Sequence, residues 1–212
     1  MKTKKIPERS FPTIILASTS TYRRELLSKL HLPFSCKSPG VDEALALKNL
    51  QTKLNKKLDP KETATALARI KCQAVVTQSP STDQLIVIGC DQTAELMGRT
   101  LGKPHTVSSA IQQLEKMSGK THYLHSAVTI FHQGKYQTFC DSTALKMRKL
   151  TKQEIVKYVE IEQPLDCAGS YKIEGLGISL FQSIQCSDFN SIIGLPLLQL
   201  GQKLRKMGLS IP

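Results

Sequence analysis

Apolar and polar positions follow two rhythms along this chain, and the switches between them mark its elements. TIILAS, Thr13–Ser18, is a short β-branched apolar run and reads as a buried strand. Ser20 can cap a helix over Thr21–Leu30 with Leu26, Leu27 and Leu30 on its inner face. HLPFSCKSP reads as a loop and a second strand ending near Val41-Asp42-Glu43. KNLQTKLNKKLDPKE is polar, Lys-rich and contains Pro60; it reads as a mobile connection before a helix over Glu62–Gln78. QLIVIGCDQTAEL carries the strongest strand signal, Leu85–Gly89, with Asp91 directly after it. GRTLGKPHTVSSA is turn-rich and opens a helix over Val107–Met117, stopped by Ser118-Gly119. Two long strands then form a hairpin around Gln133-Gly134. Thr151 with Glu154 three residues on is a capping box that opens another helix. LDCAGSYKIEGLGISLFQSIQCS is punctuated by glycine and then strand-like. The chain ends in a helix with Leu197, Leu198 and Leu204 facing in and basic residues at its end. This alternation predicts an α/β fold with an antiparallel meander in the middle and no internal repeat.

Composition narrows the function classes. The chain has 212 residues, 40% apolar and 22% charged, as in ordinary soluble domains. No apolar run approaches the roughly 20 residues that span a bilayer, and the basic start MKTKKIPERSFPT has no apolar segment behind it, so no membrane and no secretory signal are expected. Residues 1–12 read as a flexible basic lead-in to a single domain over 1–212. The net charge of +12 favours a polyanionic partner. The Lys-rich stretch Lys53–Lys61 has no aromatic residues to stack bases, so nucleic acid is not the expected partner. Six cysteines form no C-x-x-C pair and no zinc spacing; buried free thiols in a reducing cytoplasm explain them. The five histidines show no metal-ligand spacing and read as structural or exposed.

Several residues carry candidate chemistry. In ASTSTYRRELL a helix start offers unpaired N–H groups, Ser18 and Ser20 offer hydroxyls, and Arg23 and Arg24 offer planar charged forks that match phosphate oxygens. A capped helix with exposed arginines reads the same stretch equally well. Asp91, after an apolar strand, can hold a divalent metal, act as a general base toward water, or form an ordinary Asx turn. Asp42 and Glu43 can share a metal with Asp91 or sit on a solvated loop. Lys103, on the Gly102-Lys103-Pro104 turn, can reach a phosphate, as can Lys71 from its helix, although most such lysines only snorkel.

These elements occur in one order. LASTSTYRRELLSKLHLPF, VDE, ARIKCQAV, VIGCDQ, LGKPHT, LEKMSGKTH, PLDCAGSYKIEGLGISLF and NSIIGLPL together resemble the Maf family of nucleoside triphosphate pyrophosphatases, from about Ile14 to Met207. The resemblance implies a Maf/inosine-triphosphatase-like fold: a long curved mixed sheet flanked by helices, with two lobes around a deep nucleotide cleft. It implies hydrolysis of a nucleotide to its monophosphate and pyrophosphate with Mg²⁺ or Mn²⁺. It assigns Asp91 as proton acceptor, Ser18, Arg23, Arg24, Lys71 and Lys103 to the phosphates, and Glu43 with Asp91 to the metal or the attacking water. Thr21 departs from the proline usual after the second serine, and Thr serves at a first helical position.

Within the family, a branch associated with dTTP and UTP carries Asp-Thr after the strand and Tyr-x-Ile-Gln-Gly later. This chain has Asp91-Gln92 and Tyr171-Lys172-Ile173-Glu174-Gly175, like the branch associated with 7-methyl-GTP. A Glu174 carboxylate can accept from guanine N1–H and its 2-amino group, and Tyr22 can face the cationic methylated ring. Tyr22, Gln92 and Glu174 are thus the specificity candidates; Tyr22 packing on its own helix is the alternative. The expected enzyme is cytoplasmic, with a homodimer as the assembly allowed for. The competing functions are a dTTP/UTP pyrophosphatase and a non-catalytic nucleotide- or RNA-binding regulator of cell division.

Overall fold

The computed structural model describes residues 11–79 and 84–212. Most of the lead-in expected over residues 1–12 lies outside them. Along the chain run β1 (Thr13–Ala17), α1 (Thr21–Ser28), β2 (Ser35–Cys36), α2 (Glu43–Leu54), α3 (Pro60–Thr77), β3 (Leu85–Leu96) and β4 (Arg99–Leu101). Then come α4 (Val107–Met117), β5 (Thr121–His132), β6 (Lys135–Met147), α5 (Lys152–Glu162), a 3-10 turn (Leu176–Leu180), β7 (Phe181–Gln185), α6 (Phe189–Ile193) and α7 (Leu197–Lys206). Seven strands form one mixed sheet in the order β2-β1-β3-β5-β6-β7, with β4 on β3. The β2-β1-β3 part is parallel and the rest antiparallel. No helix among the described residues is long and apolar enough to cross a membrane.

The β5–β6 hairpin turns where the sequence predicts. Gln133 and Gly134 have φ of 48° and 73°, both left-handed, as a two-residue turn matched to strand twist requires. The capping box at α5 is also formed, with Thr151 accepting from Glu154 N–H and Glu154 from Thr151 N–H.

Four expectations need correction. The second strand is only two residues long and does not reach Val41; Asp42 instead caps α2, accepting from Leu45 N–H at 3.0 Å. The first part of the Lys-rich connection, Lys48–Leu54, belongs to that helix. Its polar pattern hid it because α2 buries no residue at all and shows Leu45 and Leu54 to solvent. The strand at Leu85 runs on through Asp91 to Leu96, so Asp91 is a mid-strand residue and not a strand-end turn. In α7, Leu200 takes the inward position that the pattern gave to Leu198, which is 57% exposed. Two thiols also differ from expectation: Cys36 and Cys186 are exposed, while Cys72 and Cys90 are buried.

Two apolar clusters sit at the two ends of the long strands. One joins Leu16, Leu27, Ile88, Cys90, Ile130 and Leu204. The other joins Ala94, Leu114, Leu124, Leu145, Tyr158 and Tyr171. β3, β5 and β6 run through both, and Gln92 lies between Cys90 and Ala94 where one core ends and the other begins.

On the opposite face α3 lies directly against β3. The closest point is Gly89: a Cβ there would lie 2.3 Å from the Ala68 carbonyl oxygen and 2.6 Å from Cys72 N. Glycine is needed for this approach because both obstacles are backbone. Gly89→Ala is therefore expected to cost about 3 kcal/mol or more, read as a lower urea midpoint at unchanged m-value.

His122 is fully buried in the second core, 3.0 Å from Tyr171 Oη through Nε2, and burial lowers its pKa to about 4. The unfolded chain protonates this imidazole from about pH 6.5 downward while the native protein does not. Stability should accordingly fall between about pH 6.5 and 4, by roughly 3 kcal/mol in all. Denaturation of His122→Gln should show a flatter acid slope across that window.

Candidate active site

The sheet register opens a gap on one edge of β3. β1 pairs with β3 up to Gly89 and β4 from Ala94, so among the described residues Cys90–Thr93 have no strand on that side. A cavity of about 1120 Å³ lies there. Successive side chains of β3 point to opposite faces, and at an open edge both can reach the same space. Asp91 and Gln92 both line it.

The β1–α1 junction forms one wall. Ser18 is buried and its Oγ accepts from Ser20 N–H at 3.2 Å. Ser20 caps α1, accepting from Arg23 N–H at 3.4 Å. Arg23 extends from the first turn and donates through Nε to the Gly194 carbonyl at 3.1 Å. Ser18, Ser20, Tyr22 and Arg23 line the cavity. Arg24, expected beside Arg23 on the phosphates, is exposed and is not in the lining. Neighbouring helix residues point about 100° apart, so a pair of arginines in sequence does not make a pair in space.

The floor is a charge cluster. Lys71 Nζ lies 2.6 Å from Asp91 Oδ1 and 2.7 Å from Glu43 Oε1. Lys71 and Asp91 side chains are 10% and 8% exposed, Glu43 50%. Burial works to lower the Lys71 pKa, but Asp91 and Glu43 outweigh it and the ammonium stays charged. For Asp91, burial pushes the carboxyl up against the downward pull of Lys71 and Arg23, with Glu43 adding to the rise. A buried carboxylate with raised proton affinity is the profile of a general base. Asp42, offered as a possible metal partner, is occupied as the α2 cap.

Glu43 and Asp91 are the groups that would hold a divalent cation. No cluster of three or more His, Cys, Asp or Glu residues suited to a metal occurs among the described residues. Two carboxylates suit Mg²⁺ when substrate phosphates complete its shell. They do not make a closed protein cage for a resident ion, because Lys71 already bridges them.

The far wall is irregular chain. Lys103 and His105 come from the turn after β4, and Asp166, Cys167, Lys172 and Glu174 from the loop before the 3-10 turn. Glu174 and Tyr22 line the same cavity, and burial first, then the Glu174 charge, pushes the Tyr22 phenol up. Gln92 is fixed from behind. Its Nε2 donates to Ser126 Oγ at 2.8 Å, Ser191 O at 2.9 Å and Ile192 O at 3.1 Å, which ties β3 to α6. Its amide protons are thus committed to protein, and only its oxygen remains for a ligand.

The structure therefore gathers Ser18, Tyr22, Arg23, Glu43, Lys71, Asp91, Gln92, Lys103 and Glu174 around one cavity and leaves Arg24 outside. Sequence reasoning missed Lys172, whose Nζ donates to the Glu162 carbonyl at 2.8 Å, and Thr93, buried in the lining with Oγ1 donating to the Pro60 carbonyl. Lys172 lay in plain sight two residues before Glu174; nothing in the local pattern marked Thr93.

Comparison with known proteins finds relatives along nearly the whole chain. The family description "Maf-like protein" matches residues 13–207. A 7-methyl-GTP pyrophosphatase of Pseudomonas savastanoi pv. phaseolicola is 42% identical over 203 residues, 95% of this chain and all of that protein. One from Aromatoleum aromaticum is 43% identical over 204 residues, 95% of this chain and 99% of its own length. One from Bdellovibrio bacteriovorus is 42% identical over 196 residues, covering 92% and 97%. With the match running from the first residue of β1 to just past the end of α7, and with relatives covered nearly end to end, the chain belongs to the Maf-like family.

Proposed function

We propose that the protein is a nucleoside triphosphate pyrophosphatase acting on 7-methyl-GTP or a closely similar modified nucleotide. The observation that carries this reading is the buried Lys71–Asp91 pair, joined by Glu43, on the floor of a cavity whose walls hold basic residues at one place and Glu174 at another. A pure anion binder gains nothing from carboxylates among its cations. The names of the relatives support the substrate, and Glu174 supports it chemically: a carboxylate accepts two hydrogen bonds from the guanine edge, whereas a glutamine would suit thymine or uracil.

In this mechanism the triphosphate lies against the α1 N-terminus, Ser18, Arg23, Lys71 and Lys103. Tyr22 presents its ring to the cationic base, a contact of about 0.5–2 kcal/mol. Asp91 takes a proton from water as the water oxygen bonds to the α-phosphorus. The bond from that phosphorus to the bridging oxygen breaks, and pyrophosphate leaves with the electron pair. Lys71, released from the carboxylates by the incoming negative charge, stabilises the phosphoryl oxygens. A divalent cation held by Glu43 and Asp91 would supply further charge neutralisation at those oxygens. Six cysteines, all free, support a reducing compartment such as the cytoplasm.

With Mg²⁺ or Mn²⁺ supplied, 7-methyl-GTP should be hydrolysed faster than GTP, dTTP and UTP at equal concentration. Asp91→Ala should lose at least about 100-fold in kcat, the usual share of a general base. Glu174→Gln should move the ranking toward the pyrimidine triphosphates. The reading is wrong if a folded, metal-supplied sample leaves every triphosphate intact.

The pH profile gives an independent check. Because Asp91 titrates above the ordinary range of its carboxyl, kcat/KM should fall on the acid side at a pH higher than a free aspartate would give. The Lys71 charge lowers that pKa, so Lys71→Met should shift the acid limb upward in pH as well as slow turnover. Glu43 raises it, so Glu43→Gln should shift the limb downward. Identical limbs in all three proteins would remove Asp91 as the titrating base.

A further inference from the structure

Each end of the proposed ligand meets one segment without regular structure. Lys103 sits one residue after Gly102 on the turn leaving β4, and Glu174 sits on the loop that follows α5. Outside the cavity lining, the Gln113 side chain hydrogen-bonds to both segments. Gln113, on α4, donates through Nε2 to the Gly102 carbonyl at 3.0 Å. Its Oε1 accepts from the Ser170 hydroxyl at 2.6 Å. Ser170 is fully buried and has a left-handed backbone, φ 61°, at the bend just before Tyr171. A third bond, His105 N–H to the Leu165 carbonyl at 3.0 Å, ties the same two segments through backbone alone.

From this bridge we infer that Gln113 is a positioning residue that sets the distance between the phosphate-binding turn and the base-reading loop. The inference rests on the function proposed above. A side-chain amide donates and accepts in a single plane, and both capacities are used here. A glutamate keeps the acceptor but sets a carboxylate oxygen against the Gly102 carbonyl, and a leucine keeps the size but serves neither partner. Beyond the bridge, the loop is braced toward the core by Tyr171 on His122 at 3.0 Å and by Lys172 N–H donating to Tyr158 Oη at 3.1 Å. It is braced toward the Lys103 turn only by Gln113 and the His105 backbone bond, among the hydrogen bonds of the described residues.

Losing the amide should let the two ends of the site drift apart without touching Asp91, Lys71 or Glu43. Gln113→Leu and Gln113→Glu should each raise KM for 7-methyl-GTP about tenfold, the scale of two lost hydrogen bonds, with kcat changed less than about threefold. Discrimination against GTP should shrink in the same variants, Gln113→Glu being the worse. Hydrogen–deuterium exchange should rise in residues 102–105 and 165–174 and stay unchanged in α3 and β1. Ser170→Ala, which removes one bond and leaves Gln113 in place, should show about half the effect on a logarithmic scale. The inference is overturned if Gln113→Leu keeps both KM and exchange at wild-type values, or if kcat alone falls. It is also overturned if melting shows a general loss of stability that spreads the extra exchange over the whole fold. If the wild type hydrolyses no triphosphate, the function falls, and the exchange pattern alone then decides whether Gln113 holds the two segments together.

Discussion

One ammonium group holds the centre of this site. Lys71 is paired with Asp91 with almost no water to screen the two, and the half-exposed Glu43 joins Lys71 from the other side. Removing one member of such a buried pair commonly costs about 3–5 kcal/mol, because a charge is left behind without a partner. The cluster is possible only because α3 comes unusually close to β3. Gly89 lets the Ala68 carbonyl and Cys72 pack where a side chain would be, and Lys71, one residue before Cys72, is thereby carried to within reach of Asp91, two residues after Gly89. Backbone contact in the core thus sets a distance in the candidate site.

The sheet supplies the second condition. A closed row of strands would separate the two faces of β3 and place Asp91 and Gln92 in different compartments. Here β1 stops at Gly89 and β4 begins at Ala94, and the four residues between them border a cavity instead of a strand. Asp91 approaches from the α3 side, and Gln92 from the side of α6, where its amide protons are already spent on Ser191, Ile192 and Ser126. The gap also coincides with the boundary between the two apolar cores, so the opening does not interrupt either of them.

Much of this was legible from residue pattern. Strong periodicity and capping signals gave β1, α1, α4, α5 and the β5–β6 hairpin, because in each the local preference and the tertiary burial agree. What failed were places where one of the two was missing. α2 has helical caps but buries nothing, so a reading based on apolar spacing passed over it. β3 continues past Asp91 into a second core, and a charged residue in its middle made the strand look finished. Arg24 was grouped with Arg23 by adjacency, which a helix turns into separation. The resemblance of ordered motifs located most of the cavity, but it could not show that Lys71 bridges two acids. Nor could it show that Gln113, just outside the LEKMSGKTH motif, bridges the Gly102 carbonyl and the Ser170 hydroxyl.

The division of the molecule into two cores has a chemical consequence. Ser18, Arg23, Asp91 and Lys71 are carried by β1, α1, α3 and the middle of β3, next to the first core and the α3 face. Glu174 and Lys103 are carried by loops anchored on the second, through Tyr171, Ile173 and Leu101. In the proposed enzyme, chemistry at the α-phosphorus and recognition of the base would then be supported by separately packed elements. A change in base preference by substitution at residue 174 would leave the Lys71–Asp91 geometry undisturbed, since among the described residues no hydrogen bond or ion pair joins them. The burden falls on the span between the two regions, where a few hydrogen bonds around α4 decide how far apart a phosphate tail and a purine ring can be held.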